Sequence, residues 1–162
     1  MSLDLGKKFL SQKNFKDAEK IFLDLNKNNN NFEINYNLAI INFELKNIKK
    51  SLTFFDKCKK IDPKSLNTYL KVAYLEQSTG DIEKSLSTYL KVLDINIRDI
   101  RAYYGIFTLK PNFLKTSHFE IIKQINDNPN ANILEKFLSK FLLVPKEIEF
   151  SAEVYTEVDP ET

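Results

Sequence analysis

The chain has 162 residues, 43% hydrophobic and 28% charged, enough to build one domain with its own core and too apolar for a disordered segment. Three Gly and five Pro are too few for the many turns of an all-β sandwich, and a single Cys and a single His exclude a disulfide framework and a dedicated His/Cys zinc site. The net charge of +2 is mixed in sign along the body, which argues against nucleic acid as a partner, but it is polarised: positions 1–145 carry 23 basic and 16 acidic groups, positions 146–162 one base and six acids.

Three stretches of the chain align with one another. LGKKFLSQKNFKDAEKIFLDLNKNN starts at Leu5, LAIINFELKNIKKSLTFFDKCKKIDP at Leu38 and VAYLEQSTGDIEKSLSTYLKVLDINI at Val72, so the offsets are 33 and 34 residues. A period of that length means helix–turn–helix units stacked into a solenoid. Small residues recur in each first helix (Gly6, Ala39, Ala73), again twelve positions later (Ala18, Ser51, Ser85), and are followed after four more by large rings (Phe22, Phe55, Tyr89). Small facing large is how a repeated core interdigitates without voids.

The spacing predicts helices over 2–13, 15–28, 32–45, 48–61, 65–78 and 82–96. Asn14, Asn47 and Asp81 stand where a side chain can accept the free N–H groups of a first turn. The asparagine run at 28–31 reads as a polar loop. Pro63, after Ile61-Asp62, stops one helix and is placed to open the next. Cys58 falls at a small-residue position and reads as an inert packing residue.

A fourth unit starts at 101–107 and then departs from the period. Positions 109–115, with Pro111, read as a loop. Ser117-His118-Phe119-Glu120 has the spacing of a capping box opening a helix to about Asn126, with His118 a capping or surface residue rather than a base. Asn128-Pro129-Asn130 is a turn, and 131–144 is a last helix with apolar Ile133, Leu134, Phe137, Leu138, Phe141 and Leu142. A solenoid must cover its exposed end, so this stripe reads as a cap rather than a partner surface. From Glu147 to Asp159 apolar and acidic residues alternate with period two, the mark of an extended strand. The expected organisation is therefore a helical body over 1–145 and an acidic tail over 146–162, extended or disordered.

Tyr36-Asn37-Leu38-Ala39 in the second unit and Gly80-Asp81-Ile82 in the third, taken with the joint spacing, resemble the tetratricopeptide repeat (TPR) family across roughly residues 2–108. The family's unit has the form YNLG, then G-D-Y-x-x-A, then a helix ending in D-P. This chain departs from it at Lys13 and Lys46, which replace the turn glycine, and at Asn30 and Ile97, which replace the terminal proline. The resemblance implies an all-α solenoid of three repeats plus a partial fourth and a C-terminal capping helix, with right-handed superhelical stacking. It also implies that each unit's first helix lines a concave groove for a peptide or protein partner. Carried over position by position, the partner-binding residues are Lys7 in the first unit, Tyr36, Asn37, Ile40 and Phe43 in the second, Leu70, Lys71 and Tyr74 in the third, and Arg101 and Tyr104 in the fourth. The two-carboxylate clamp of one TPR subclass falls on Leu3, Lys7, Asn37, Asn67 and Lys71, where only Asn37 matches and Lys71 substitutes for arginine, so a chaperone-tail adaptor is not expected.

Gly-rich phosphate loops, His-Glu-x-x-His and Cys-x-x-Cys are absent from the sequence. The expectation is a binding module that is not an enzyme and uses no cofactor or metal. Two alternatives stand beside it: an accessory segment of a transferase, since bacterial repeats of this kind precede sulfotransferase and glycosyltransferase domains, and a scaffold that self-associates through its C-terminal tail. Residues 1–10 lack a signal-peptide pattern and no apolar run reaches bilayer length, so a soluble cytoplasmic protein with no membrane partner is expected.

Overall fold

The computed structural model describes residues 2–156. Among these residues all regular structure is helical. The helices are α1 (Leu3–Ser11), α2 (Phe15–Asn28), α3 (Phe32–Glu44), α4 (Ile48–Ile61), α5 (Leu66–Ser78), α6 (Ile82–Ile95), α7 (Ile100–Leu109), α8 (Thr116–Asp127) and α9 (Ile133–Thr156), with a 3-10 turn at Pro111–Phe113. The chain divides inside α6 into two compact units, one ending at Thr88 and one beginning at Tyr89.

In the first unit the tight turns come from three positions at the repeat period. Lys13 (φ 57°), Lys46 (φ 62°) and Gly80 (φ 81°) all take the left-handed conformation. Glycine adopts it freely, whereas at Lys13 and Lys46 a Cβ is forced against the backbone. The pairing of helices outweighs that strain, so the turn persists without its glycine.

Two adjoining layers form the core of this unit. Ala18, Phe22, Ile34, Leu38 and Ile41 make one, flanked by Leu3, Phe9 and Leu10. Ala39, Phe55, Val72 and Leu75 make the next, flanked by Tyr36, Ile40 and Phe43. The small positions are structural requirements: a Cβ built on Gly6 would stand 2.9 Å from Phe22 Cε2. The second set of small residues does more than make room. The Ser51 hydroxyl donates to the Ala39 carbonyl and that of Ser85 to the Ala73 carbonyl, each at 2.8 Å and both buried, so each staples the second helix of a pair to the first. Cys58 is fully buried, as its position implied, and burial pushes its thiol up to about 11.

Helix starts follow the predicted chemistry only in part. Asn14 accepts from Asp17 N–H at 3.4 Å, but Asn47 makes no side-chain cap bond and the Asp81 carboxylate pairs with Lys84. Ser2, Asn31, Ser65 and Asp99 are the further caps. The asparagine run thus acts structurally: Asn31 Oδ1 accepts from Ile34 N–H at 2.9 Å, and Asn30 Oδ1 accepts from Asn35 at 2.7 Å. Pro63 stops α4 but does not open α5, which begins at Leu66 behind the Ser65 cap.

In the second unit Tyr89, Val92, Leu93, Ile100, Ala102, Tyr103, Ile106, Ile122, Ile125, Leu138 and Leu142 are buried. α8 starts two residues earlier than the Ser117 capping box predicted, with Lys115 at the N-cap. Its first turn is closed by His118, whose Nδ1 accepts from Lys115 N–H at 2.9 Å, so the histidine is the capping residue and Glu120 is not used for it. α9 divides the apolar stripe of the sequence into two faces. Leu138 and Leu142 are buried, while Ile133, Leu134, Phe137, Phe141 and Val144 remain exposed, so the cap reading holds for the first pair only.

α9 also continues to Thr156. Over 146–156 a helix stands where period-two alternation suggested an extended or disordered tail; positions 157–162 lie outside the described residues. An existing helix extends one residue at a time without a new nucleus, and a lone strand has no ladder to join. Pro145 sits inside this helix and lacks the N–H that would reach the Phe141 carbonyl.

Candidate functional site

The groove-facing residues inferred for the first three units fall on α1, α3 and α5, and two direct contacts tie these helices together. Lys7 Nζ on α1 pairs with Glu33 on α3 at 2.5 Å, and the Phe43 ring on α3 meets the Tyr74 ring on α5 edge-on at 5.9 Å between centroids. The hydrogen bond to Glu33 raises the pKa of Lys7. Both partners are about half exposed, so the bridge positions the side chains more than it stabilises the fold.

Between α3 and α5 lies a shallow notch, open to solvent, lined by Ile40, Phe43, Phe55, Lys71, Tyr74 and Leu75. A pocket for a drug-sized molecule needs roughly 300–1,000 Å³. With free space of only about 10 Å³, about one water molecule's worth, this one is a surface depression rather than a pocket. Tyr74 is 53% exposed on its rim, and Lys71 is exposed beside it.

The other inferred residues are used differently. Tyr36 is half-buried, stacked on Phe32 (5.7 Å, 18° between planes) and edge-on to Phe55 (5.8 Å), and burial raises its pKa. It completes packing within the repeat. The Asn37 amide donates to the Glu33 carbonyl one turn back at 2.9 Å, which holds it along its own helix. Leu70 is half-buried.

Arg101 and Tyr104 belong to the second unit. Arg101 forms a two-point bond to Asp99, Nε to Oδ1 at 2.9 Å and Nη2 to Oδ2 at 2.5 Å, and this bond raises its pKa. Asp99 is buried and also caps α7, accepting from Arg101 N–H at 3.1 Å. The guanidinium is thus committed to holding the start of α7. Tyr104 lies edge-on to Phe141 of α9 at 5.7 Å. Phe55 and Leu75 are notch residues that the helix-by-helix mapping missed; Phe55 comes from a second helix and was read only as core.

No helix among the described residues is long and apolar enough to cross a membrane. No group of three or more His, Cys, Asp or Glu among them is placed to hold a metal ion.

The paired helices, the 33- and 34-residue period and the small-against-ring packing define an all-α repeat fold of the tetratricopeptide class. Residues 32–65, comprising α3, α4 and the turn after it, match the tetratricopeptide repeat family model. Among solved structures the chain is similar to the MamA RS-1 ArsTM double mutant (TM-score 0.65, 18% identity, 94% of this chain and 88% of that one). It is also similar to MamA 41-end from Desulfovibrio magneticus RS-1 (0.64, 19%, 96% and 89%). A third similar structure is YrrB, described as a TPR protein with an unusual peptide-binding site (0.61, 15%, 83% and 71%). At these identities the likeness is one of fold. No curated protein sequence matches the chain.

Proposed function

We propose that this protein is an interaction module that holds a peptide or protein segment on the face made by α1, α3 and α5, with the α3–α5 notch as its anchor point. The observation that carries this reading is the pairing of a shallow apolar notch with an exposed tyrosine and an exposed lysine on its rim. An apolar side chain of the partner rests on the notch against the Tyr74 ring, and Lys71 faces a carboxylate on the same segment. Rings supply contact area at little entropic cost, and a rim charge selects orientation. YrrB, as a solved TPR protein with a peptide-binding site, supports the class of partner. The proposed role is binding, with no catalytic step.

Tyr36, Asn37 and Arg101 have structural duties, so Tyr74, Phe43, Ile40 and Lys71 are the residues proposed to carry partner affinity. Selection from a random peptide display library against the protein tests this. The expected outcome is a convergent motif with one large apolar residue next to an acidic one. Binding of that motif should weaken by ~1–3 kcal/mol in Tyr74→Ala, as for an anchor residue, and less in Lys71→Ala. Peptides that bind equally well to wild type and to Tyr74→Ala refute the site.

A further inference from the structure

The second helices of the three repeats, α2, α4 and α6, share a register of 33 and 34 residues, so their solvent-facing positions compare one for one. α2 fills these positions with Lys16, Asp17, Lys20, Asp24 and Lys27, and α6 with Glu83, Lys84, Ser87, Lys91 and Asp94. Both sets are mixed in sign. Ion pairs three residues apart join Lys20 to Asp17, Lys27 to Asp24, Lys84 to Asp81 and Lys91 to Asp94. In α4 the same positions are Lys49, Lys50, Thr53, Lys57 and Lys60. Packing asks only that these positions be polar, so the single sign of α4 is not a requirement of the fold.

The lysines also act against the helix that carries them. Lys49 and Lys50 lie in the first turn of α4, where positive charge opposes the helix dipole. That turn has no acidic residue and no side-chain cap from Asn47, whereas α2 and α6 carry Asp17 and Glu83 there. Lys57 and Lys60, one turn apart, repel each other. The one carboxylate of α4, Asp56, is taken by Lys59 at 2.8 Å, on the side away from the row. At 100° per residue the four lysines occupy an arc of about 100° that runs about 16 Å along the helix, opposite the buried Ser51, Phe55 and Cys58. Lys49, Lys50 and Lys60 are exposed, and Lys57 Nζ lies over the Phe54 ring at 5.0 Å. Ile61, one turn beyond Lys57, is 46% exposed. A local rule broken with no gain in packing is expected at a functional surface.

We infer that the outward face of α4 docks on an anionic lipid bilayer, with its lysines against the headgroup phosphates and carboxylates. Charge complementarity and shape together select this occupant. The lysines stand on the crest of a helix, where a flat anionic surface reaches all four at once. Lysine is a point charge on a flexible stem, and the row has no arginine fork to read one particular carboxylate or phosphate. It also has no ring on which a nucleic-acid base could stack. Ile61 at its end places an apolar side chain at the same surface, as on helices that lie in the headgroup layer. Phe55, the α4 residue of the notch, lies on the opposite side of the helix, so a docked protein keeps its notch free.

Co-sedimentation of the full chain with sucrose-loaded vesicles tests this. Vesicles of phosphatidylcholine with about one-third phosphatidylserine should bind the protein at low salt, and pure phosphatidylcholine should not. Raising the salt to about 1 M, where charges are screened beyond about 3 Å, should release it. Each lysine near an anionic leaflet is worth about fivefold in binding, so Lys50→Gln with Lys60→Gln should weaken it about 25-fold. Glutamine is a good helix former and both positions are exposed, so the circular dichroism spectrum should not change. Lys20→Gln with Lys27→Gln makes the same change in net charge on α2 and should weaken binding less than about fivefold. No binding to the anionic vesicles at low salt, equal binding to pure phosphatidylcholine, or equal losses in the α2 and α4 pairs overturns the inference. A protein that ignores vesicles but takes up polyglutamate or a duplex oligonucleotide through the same lysines overturns it in favour of that polyanion.

Discussion

Gly105 on α7 lies directly beneath the ring of Tyr89. A Cβ at position 105 would stand 2.3 Å from Tyr89 Cζ, 2.5 Å from Cε1 and 2.6 Å from Cε2, all well inside van der Waals contact. Two effects of Gly105→Ala oppose each other. Alanine in a helix interior is favoured over glycine by about 1 kcal/mol. Forcing a methyl into a filled core costs about 1–3 kcal/mol. Here three atoms of one ring are hit at once and Tyr89 is only 6% exposed, so the ring has no open direction in which to swing and the cost belongs at the top of that range. The net expectation is a loss of about 2 kcal/mol. Urea unfolding followed by circular dichroism measures it, with a melting temperature lower by about 4–8 °C for a chain of this size. The decisive measurement is the same substitution in a Tyr89→Ala background. With the ring gone only the helix preference remains, and Gly105→Ala should then stabilise by up to about 1 kcal/mol. A stabilising effect in the wild-type background, or no reversal of sign, refutes the packing argument.

Four further outcomes follow from the same geometry. Lys13→Gly relieves about 1–2 kcal/mol of left-handed strain and returns about 0.4–1 kcal/mol as unfolded-chain entropy, so urea titration should show a gain of about 0.5–1 kcal/mol. Lys46→Gly should gain less, because Lys46 also sits over the Phe43 ring at 5.5 Å and loses that contact. Ser51→Ala and Ser85→Ala each remove a buried hydroxyl bond and should cost about 1 kcal/mol apiece, additively in the double variant since the two sites share no partner. The Tyr103 hydroxyl is buried with no hydrogen-bond partner among the described residues, so Tyr103→Phe should hold or raise stability by about 1 kcal/mol in the same titration. Burial raises the Cys58 thiol from an ordinary value of 9.0 to about 11, so it stays protonated at pH 8.5. Alkylation there should be slow in the native protein and fast in denaturant, and fast native labelling would contradict the burial.

How much was legible in advance differs from element to element. Helices α1 to α6 and their pairing could be read from the period, because each unit's contacts lie within one repeat and the small residues at Gly6, Ala39 and Ala73 mark where backbones must approach. The turn at Lys13 and Lys46 survived the loss of its glycine because the strain of one left-handed residue is small beside the burial of two helix faces. Capping was less legible. Ser, Asn and Asp are frequent near every helix start, and which one turns its oxygen toward a free N–H depends on backbone angles that the residue's identity does not set, so Ser65 and Asp99 cap while Asn47 does not.

The candidate site shows the same division. The sequence alone determined which residues lie on the first helix of each unit. Tertiary structure decided what each of them does there. Tyr36 is absorbed between Phe32 and Phe55, Arg101 is held by Asp99, and Tyr74 is left on the rim of a notch whose floor, Phe55, comes from a different helix. On α9 the composition promised apolar residues without saying which would be covered. Leu138 is turned by about 100° from Phe137 around the helix axis, and that rotation separates a buried face from an exposed one. Periodicity is a property of one helix and can be read from its residues. Coverage is a property of two surfaces meeting, and it exists only once the neighbouring helices are in place.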